Sequence, residues 1–390
     1  MNIALLPGIF FPKPGGVQVQ THNLANKLVD KGHTVHVLLL NKTNIKNNIY
    51  KIIVLNKITL SLVFYLKYFF KIDLSLILEI YLKKIIKKYR FDLFHFQFTN
   101  FKMLLIINIL KKLNQKVIVT FQGADLQINK RINYGYRLNK KYEKTLINTL
   151  PKIDLFFSIS NNIKKDLNSL KIKNNKIIYI PNGIEIKKFT KFSNTNKSLN
   201  KCIYLITVAR FAESKKGLDL IPAIAKHLIN SNIKFKWYLV GKNSKYIKNK
   251  IFFNKHTENF RFIENIENLN EKYCPHSALI KFYKKSHLYI NLARIESFGL
   301  TIIEGLASNL PVITFDTKGG NELIINNFNG TVVKKYLPLN MSKMIIKYKK
   351  NKSLFLKCKK NSILSIRQYD LETICQKTII HYKRVINNNF

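Results

Sequence analysis

The segment NIALLPG (2–8), an apolar run stopped by proline and glycine, opens a string of elements that limits the folds available to the chain. After the loop FFPKPGG comes VQVQTHNLANKLVDKG (17–32), apolar at helical spacing and closed by Gly32, and then a second apolar run, HTVHVLLLN (33–41). Short apolar runs bounded by turn residues read as buried strands, and the periodic stretch between them as a helix. Strand, helix and strand in that order form a parallel pair through a crossover, so the start of the chain already demands a parallel α/β sheet.

The same grammar continues. DLFHFQ (92–97), KVIVTFQG (116–123), IDLFFSIS (153–160) and KIIYIPNG (176–183) read as strands, the last closed by strong turn chemistry at Pro181-Asn182-Gly183. The polar stretch FTKFSNTNKSLNK (189–201) marks a boundary, after which the pattern restarts with CIYLITVAR (202–210), a helix in GLDLIPAIAKHLIN (217–230) and a strand in KFKWYLVG (234–241). FRFIEN (260–265), HLYINLA (287–293) and PVITFD (311–316) read as strands, and GLTIIEGLASN (299–309) as a helix. The expected fold is α/β: two tandem doubly wound, Rossmann-like domains, over 1–185 and 200–368, with ligand in the crevice between them at the carboxyl ends of the strands. A last helix, LETICQKTIIHYKRVI, falls in 369–390 and is expected to pack back on the first domain.

Among the 390 residues, 67 are basic and 21 acidic, a formal charge of +46. Such an excess favours anionic partners. Only eight of the basic residues are arginine, however, and Asn and Ile are abundant, so most of the excess reads as compositional drift onto tolerant surfaces. No RNP-like or basic-helix string accompanies it, and no nucleic-acid partner is expected. The four cysteines are widely spaced and fit neither a zinc site nor a disulfide framework, which suggests reduced thiols in a cytoplasmic protein. The opening residues lack the basic n-region of a secretion signal. ITLSLVFYLKYFFKIDLSLILEIYL (58–82) is interrupted by Lys67, Lys71 and Asp73, so it reads as a buried or interfacial helix pair, and a peripheral contact with an anionic membrane stays open.

Chemistry concentrates in ESFGLTIIEG (296–305). If Gly299 or Leu300 opens a helix, Glu296 lies in the loop before it and Glu304 about one turn inside. A helix N-terminus favours a phosphate, and a carboxylate accepts from both hydroxyls of a vicinal diol. Glu304 then suits a ribose and Glu296 a sugar hydroxyl. In ARFAESKKG (209–217), Arg210 comes directly after a strand and Lys216 abuts Gly217; a guanidinium and an ammonium converging on a diphosphate would neutralise a leaving group. Gly15 and Gly16, after the first strand, allow backbone amides close to a ligand. No DxD string, P-loop or HExxH occurs, so neither a metal nor a cofactor is expected.

Together these strings resemble the retaining GT-B glycosyltransferases of family 4 over nearly the whole chain. The most specific part is E-x7-E, from Glu296 to Glu304, then GLASNLPVIT and Gly319-Gly320-Asn321-Glu322; PGG, LANKLVDKGHTVHV, DLFHFQ, TFQGAD, IPNGIE, ARFAESKKG and YLVG support it in order. The resemblance implies that Glu304 binds the donor ribose, with Ser297, Phe298, Gly299, Leu300 and Gly241 nearby. Glu296 would contact donor-sugar hydroxyls, Arg210 and Lys216 the diphosphate, and Gly15 and Gly16 would approach it from the first domain. Gln122, Asp125 and His95 would offer weaker contacts to sugar or acceptor. Many members carry His where Gln97 and Gln122 stand here, and glutamine does not titrate near neutral pH. The family's front-face displacement, in which the leaving phosphate takes the acceptor proton, does not need an imidazole there. The implied substrates are a nucleotide-sugar donor and a glycan or lipid-linked acceptor, in surface polysaccharide or lipopolysaccharide synthesis at the cytoplasmic face of the inner membrane. The alternatives are a nucleotide-sugar epimerase or phosphorylase on the same fold and, more remotely, a polyanion-binding protein.

Overall fold

The computed structural model describes residues 1–12, 15–193, 199, 201–211, 214–248, 251–264, 266, 271–317 and 319–388. Parts of the sequence readings fall outside them: Lys13 and Pro14 of the first loop, 194–198 and 200 of the boundary stretch, Ala212 and Glu213 of ARFAESKKG, Asn265 of FRFIEN, and 389–390 at the end of the last segment. The chain divides into two compact units, one of Met1–Asn182, Leu269–Tyr273 and Leu371–Phe390, the other of Gly183–Asn268 and Cys274–Asp370.

The first unit runs β1 (Asn2–Leu6), α1 (Gly16–Asp30), β2 (Thr34–Leu39), β3 (Lys51–Val54), α2 (Lys57–Phe69), α3 (Ser75–Tyr89), β4 (Leu93–Phe96), α4 (Phe101–Lys112), β5 (Val117–Phe121), α5 (Lys140–Thr149), β6 (Leu155–Ser158), α6 (Asn161–Ser169) and β7 (Ile177–Tyr179). Its seven strands are parallel in the order β3-β2-β1-β4-β5-β6-β7. The order reverses at β1, whose Leu5 sits between Val37 of β2 and His95 of β4. β4, β5 and β6 are buried along their whole length, as strands covered on both faces must be.

The second unit runs α7 (Ile186–Thr190), β8 (Ile203–Val208), α8 (Ile221–Asn230), β9 (Phe235–Val240), α9 (Ser244–Lys248), α10 (Ile251–Lys255), β10 (Phe260–Ile263), α11 (Ser277–Lys284), β11 (Leu288–Asn291), α12 (Leu300–Ala307), β12 (Val312–Phe315), β13 (Gly330–Val333), α13 (Pro338–Lys350) and α14 (Lys352–Leu364). Its six parallel strands lie in the order β10-β9-β8-β11-β12-β13, with Trp237, Leu239, Ile290 and Ile313 fully buried in its core. β8 and β11 are neighbours, Leu205 beside Leu288 and Ile206 beside Tyr289, so the loops that leave their carboxyl ends lie side by side. The final helix, α15 (Leu371–Ile386), belongs to the first unit, where it packs on α1 and Tyr382 reaches His95. The fold is therefore the two-sheet α/β architecture that the strand grammar predicts. Three cysteines are buried, Cys202 is half-buried, and none of the four is in a disulfide.

Candidate active site

In the second unit, the apolar residues Ile302, Ile303, Leu306 and Ala307 bury α12 against the sheet and carry Glu304 in with them. Glu304 is 4% exposed, and the Tyr283 hydroxyl of α11 donates to its Oε2 at 2.8 Å. Burial pushes its carboxyl up to about 7, against the opposing pull of the Tyr283 hydrogen bond and the Lys188 charge. Gly299 caps the helix, Leu300 is its first residue, and Ser297 and Phe298 are buried in the loop before it. Glu296, in the same loop, is half-buried and accepts from the Lys216 ammonium at 2.9 Å. Two residues chosen separately from sequence thus touch.

The segment that carries Lys216 is fastened from the neighbouring loop. The Arg294 backbone N–H donates to the Lys215 carbonyl at 2.7 Å. The Arg294 guanidinium donates to the Ser214 carbonyl at 2.7 Å and spans both Asp219 oxygens at 2.7 and 2.6 Å, a fork-to-fork pair. Arg210 lies two residues past β8, half-buried. Gly241, which ends β9, has φ +134°, and a Cβ there would lie 2.0 Å from the Ala209 carbonyl oxygen, so only glycine lets the two strand ends approach. Gly319 has φ +86° and stands equally close to the Glu296 carbonyl, at 2.2 Å from a built Cβ. Tyr283, Lys188 and Asp219 carry no sequence signal that marks them. Arg294 does: it is one of eight arginines in a chain full of lysine.

In the first unit, Gly15 caps α1 with extended backbone, and Gly16 is exposed with open space where a Cβ would stand. Gln122 exchanges side-chain hydrogen bonds with Asn182 at 3.1 and 3.4 Å. His95 and Asp125, expected as sugar or acceptor contacts, are both buried, and His95 lines a small cavity with Gln97, Thr120 and Asn182. The His95 ring lies between the Tyr382 hydroxyl at 2.5 Å and Thr120 Oγ1 at 2.7 Å, and burial drives its pKa down to about 3, so it stays neutral. The Asp125 carboxylate is fully buried and accepts from the backbone N–H groups of Thr99, Gln122 and Gly123 at 3.1, 3.0 and 2.9 Å. Burial pushes its carboxyl up to about 7 in spite of those bonds. Both residues hold the strand ends and the Gln122 loop in place, and neither faces solvent. Among the described residues no group of three or more His, Cys, Asp or Glu is clustered to hold a metal, and no helix is long and apolar enough to cross a membrane.

Two parallel-sheet units of this kind host many chemistries, and likeness to known proteins narrows them to sugar transfer. Residues 14–188 match Glycosyltransferase Family 4 and residues 188–364 match Glycosyl transferases group 1. The chain belongs to this family: it is a group 1 glycosyltransferase of family 4. It is 27% identical over 353 residues to an uncharacterized glycosyltransferase of Methanocaldococcus jannaschii, covering 90% of this chain and 89% of that one. Its fold is similar to that of a glycosyltransferase from Rickettsia africae, with a TM-score of 0.74 at 22% identity over 100% of this chain and 99% of the other. It is also similar to HepE from Anabaena in complex with UDP and glucose, with a TM-score of 0.72 at 13% identity over 98% and 99% of the two chains.

Proposed function

We propose that this glycosyltransferase moves a hexose or related sugar from a nucleotide-sugar to a glycan or lipid-linked acceptor, with retention at the anomeric carbon and without a metal. The observation that carries this reading is the Lys216–Glu296 pair, set in the loop that leads into the helix carrying the buried Glu304. A donor diphosphate beside Lys216 competes with Glu296 for the ammonium, and Arg210 adds a second positive charge from the end of β8. Glu296, relieved of its lysine, accepts from hydroxyls of the donor sugar, while Glu304 takes the ribose diol. In the transfer step the bond from the sugar C1 to the diphosphate oxygen breaks, the acceptor oxygen bonds to C1 on the same face, and the acceptor proton passes to the departing phosphate. Lys216 and Arg210 stabilise the charge that develops on that phosphate. A neutral, enclosed His95 and a glutamine at 122 supply no base, which agrees with a route that relies on the leaving group. Gly16, with its Cβ position open, leaves the backbone at the start of α1 accessible to a ligand. The basic surface supports peripheral contact with the anionic cytoplasmic face of a membrane, and surface polysaccharide or lipopolysaccharide synthesis as the setting.

The test is thermal stabilisation by UDP-, GDP-, ADP- and dTDP-sugars with EDTA present, beside Glu304→Ala. A ligand at about 100 times its Kd adds about 2.7 kcal/mol. One nucleotide class should stabilise the native chain and not the variant. Stabilisation by none of them sinks the reading, and conversion of donor sugar without acceptor identifies an epimerase instead.

A further inference from the structure

A cavity of about 530 Å³ opens at the carboxyl ends of β1 and β2 in the first unit. Phe10, Phe11 and Met103 give it apolar walls, and the charged groups among the described residues that line it are two ammoniums, Lys42 and Lys57. Lys57 is steadied at the rim by a 3.0 Å hydrogen bond to Asn41 Oδ1. No carboxylate among the described residues lines this space. Two ammoniums without an acid match a group carrying nearly two negative charges, such as a phosphate monoester, better than a single carboxylate.

Lys57 is also the first residue of α2, and that helix is apolar on both sides. Leu60, Val63 and Phe64 face inward, whereas Ile58, Leu62, Tyr65 and Phe69 form one exposed stripe at helical spacing, with Ile58 81% and Phe69 61% exposed. Leu76 and Ile80 of α3, which packs on α2, are exposed as well. A helix apolar all round is normally buried on every side, and a contiguous exposed apolar patch marks a contact. Lysines border the stripe: Lys102 lies over the Phe64 and Tyr65 rings and Lys141 over Phe69. The two acids on this hairpin, Asp73 and Glu79, already pair with Lys67 and Lys83. The stripe begins one residue beyond the cavity's rim lysine.

We propose that the cavity receives the phosphate of a lipid-linked acceptor, whose hydrocarbon chain lies along the α2 stripe. Naming the ligand an acceptor rests on the transferase reading above. The cationic rim fixes the head, the apolar wall takes the first part of the tail, and the stripe takes the rest.

Calorimetric titration of the whole chain with decyl phosphate and decyl glucoside, each below its micelle concentration, tests this, with UDP, GDP, ADP and dTDP titrated in parallel. Decyl phosphate should bind at least tenfold more tightly than decyl glucoside. Lys42→Gln/Lys57→Gln should remove that preference and Lys42→Arg/Lys57→Arg should keep it. Leu62→Ser/Phe69→Ser should weaken both amphiphiles tenfold or more. An unchanged decyl phosphate affinity in the glutamine pair or in the serine pair overturns the proposal. So does binding to phosphatidylglycerol vesicles that survives the glutamine pair and is not competed by decyl phosphate, because the surface then meets bulk lipid. If one of UDP, GDP, ADP and dTDP binds and decyl phosphate does not, this proposal alone falls; if none of the four binds, the donor reading falls and takes the acceptor assignment with it.

Discussion

Lys216 and Glu296 stand eighty residues apart in sequence and meet at 2.9 Å. Strand order brings them together. β8 and β11 are neighbours in a parallel sheet, so the loop after each strand emerges at the same edge. Arg294 then ties the two loops together, through its backbone to Lys215 and its side chain to Asp219. The pair is a charged centre held from both sides before any substrate arrives.

Lys216→Ala should lower transfer by about 10²–10³ in kcat, the range for losing one group aimed at developing charge. Lys216→Ala/Glu296→Gln should lose less than the sum of the two single variants, with a coupling of about 0.5–3 kcal/mol. Steady-state kinetics on the four proteins decides it. A fully active Lys216→Ala would remove the lysine from the chemistry.

Glu304 carries a pH signature. Its carboxyl stands at about 7 in the folded chain against an ordinary 4.5, so between those values the folded state binds the extra proton. Its contribution to stability is fully present below about 4.5 and is lost as pH rises through about 7. Asp125, raised to about 7 as well, acts in the same direction. Unfolding free energies from urea titrations should fall between pH 5 and pH 8, and Glu304→Gln should flatten that fall by about 1–3 kcal/mol. Affinity for whichever nucleotide stabilises the chain should rise through the same window in the native chain and not in the variant. Superimposable profiles for the two proteins would contradict the assignment.

Three glycines separate folding from function. Gly241→Ala and Gly319→Ala each force a Cβ to about 2 Å from a backbone oxygen at positive φ, and should cost about 2 kcal/mol or more. Gly16→Ala meets open space, so its melting temperature should match the native chain. If its donor affinity nevertheless drops, backbone approach at Gly16 is the cause; native affinity would show that no ligand comes near.

Asp125→Ala strips an acceptor from three backbone amides and should destabilise by about 1–3 kcal/mol. Hydrogen exchange at Thr99, Gln122 and Gly123 should quicken together. Unchanged protection there would show that the amides find other partners.

The strands that sequence reveals are those buried on both faces, such as β4, β5 and β6. β3 and β13 go unread for local reasons: β3 is four residues with both ends exposed, and β13 opens on a glycine. The middle of α4, MLLIINIL (103–110), is an almost unbroken apolar run that carries no period to betray a helix. Glu304, Glu296 and Lys216 are legible because they stand in the two strings ESFGLTIIEG and ARFAESKKG, where acids and a base sit beside glycine at strand ends. Their partners are not. Tyr283 reaches Glu304, and Lys188 approaches it, only through the packing of α7 and α11 around α12, which no local pattern encodes.

The close backbone approaches at Gly241 and Gly319 bear on how a different donor preference is to be engineered. Ala209 sits against one and Glu296 against the other, so the segments around the site are wedged together at the main chain. Grafting a longer segment from a relative into any one of them displaces its neighbour as well. Exchange of side chains at fixed length leaves the wedge intact, and that is where a mutant library should spend its diversity.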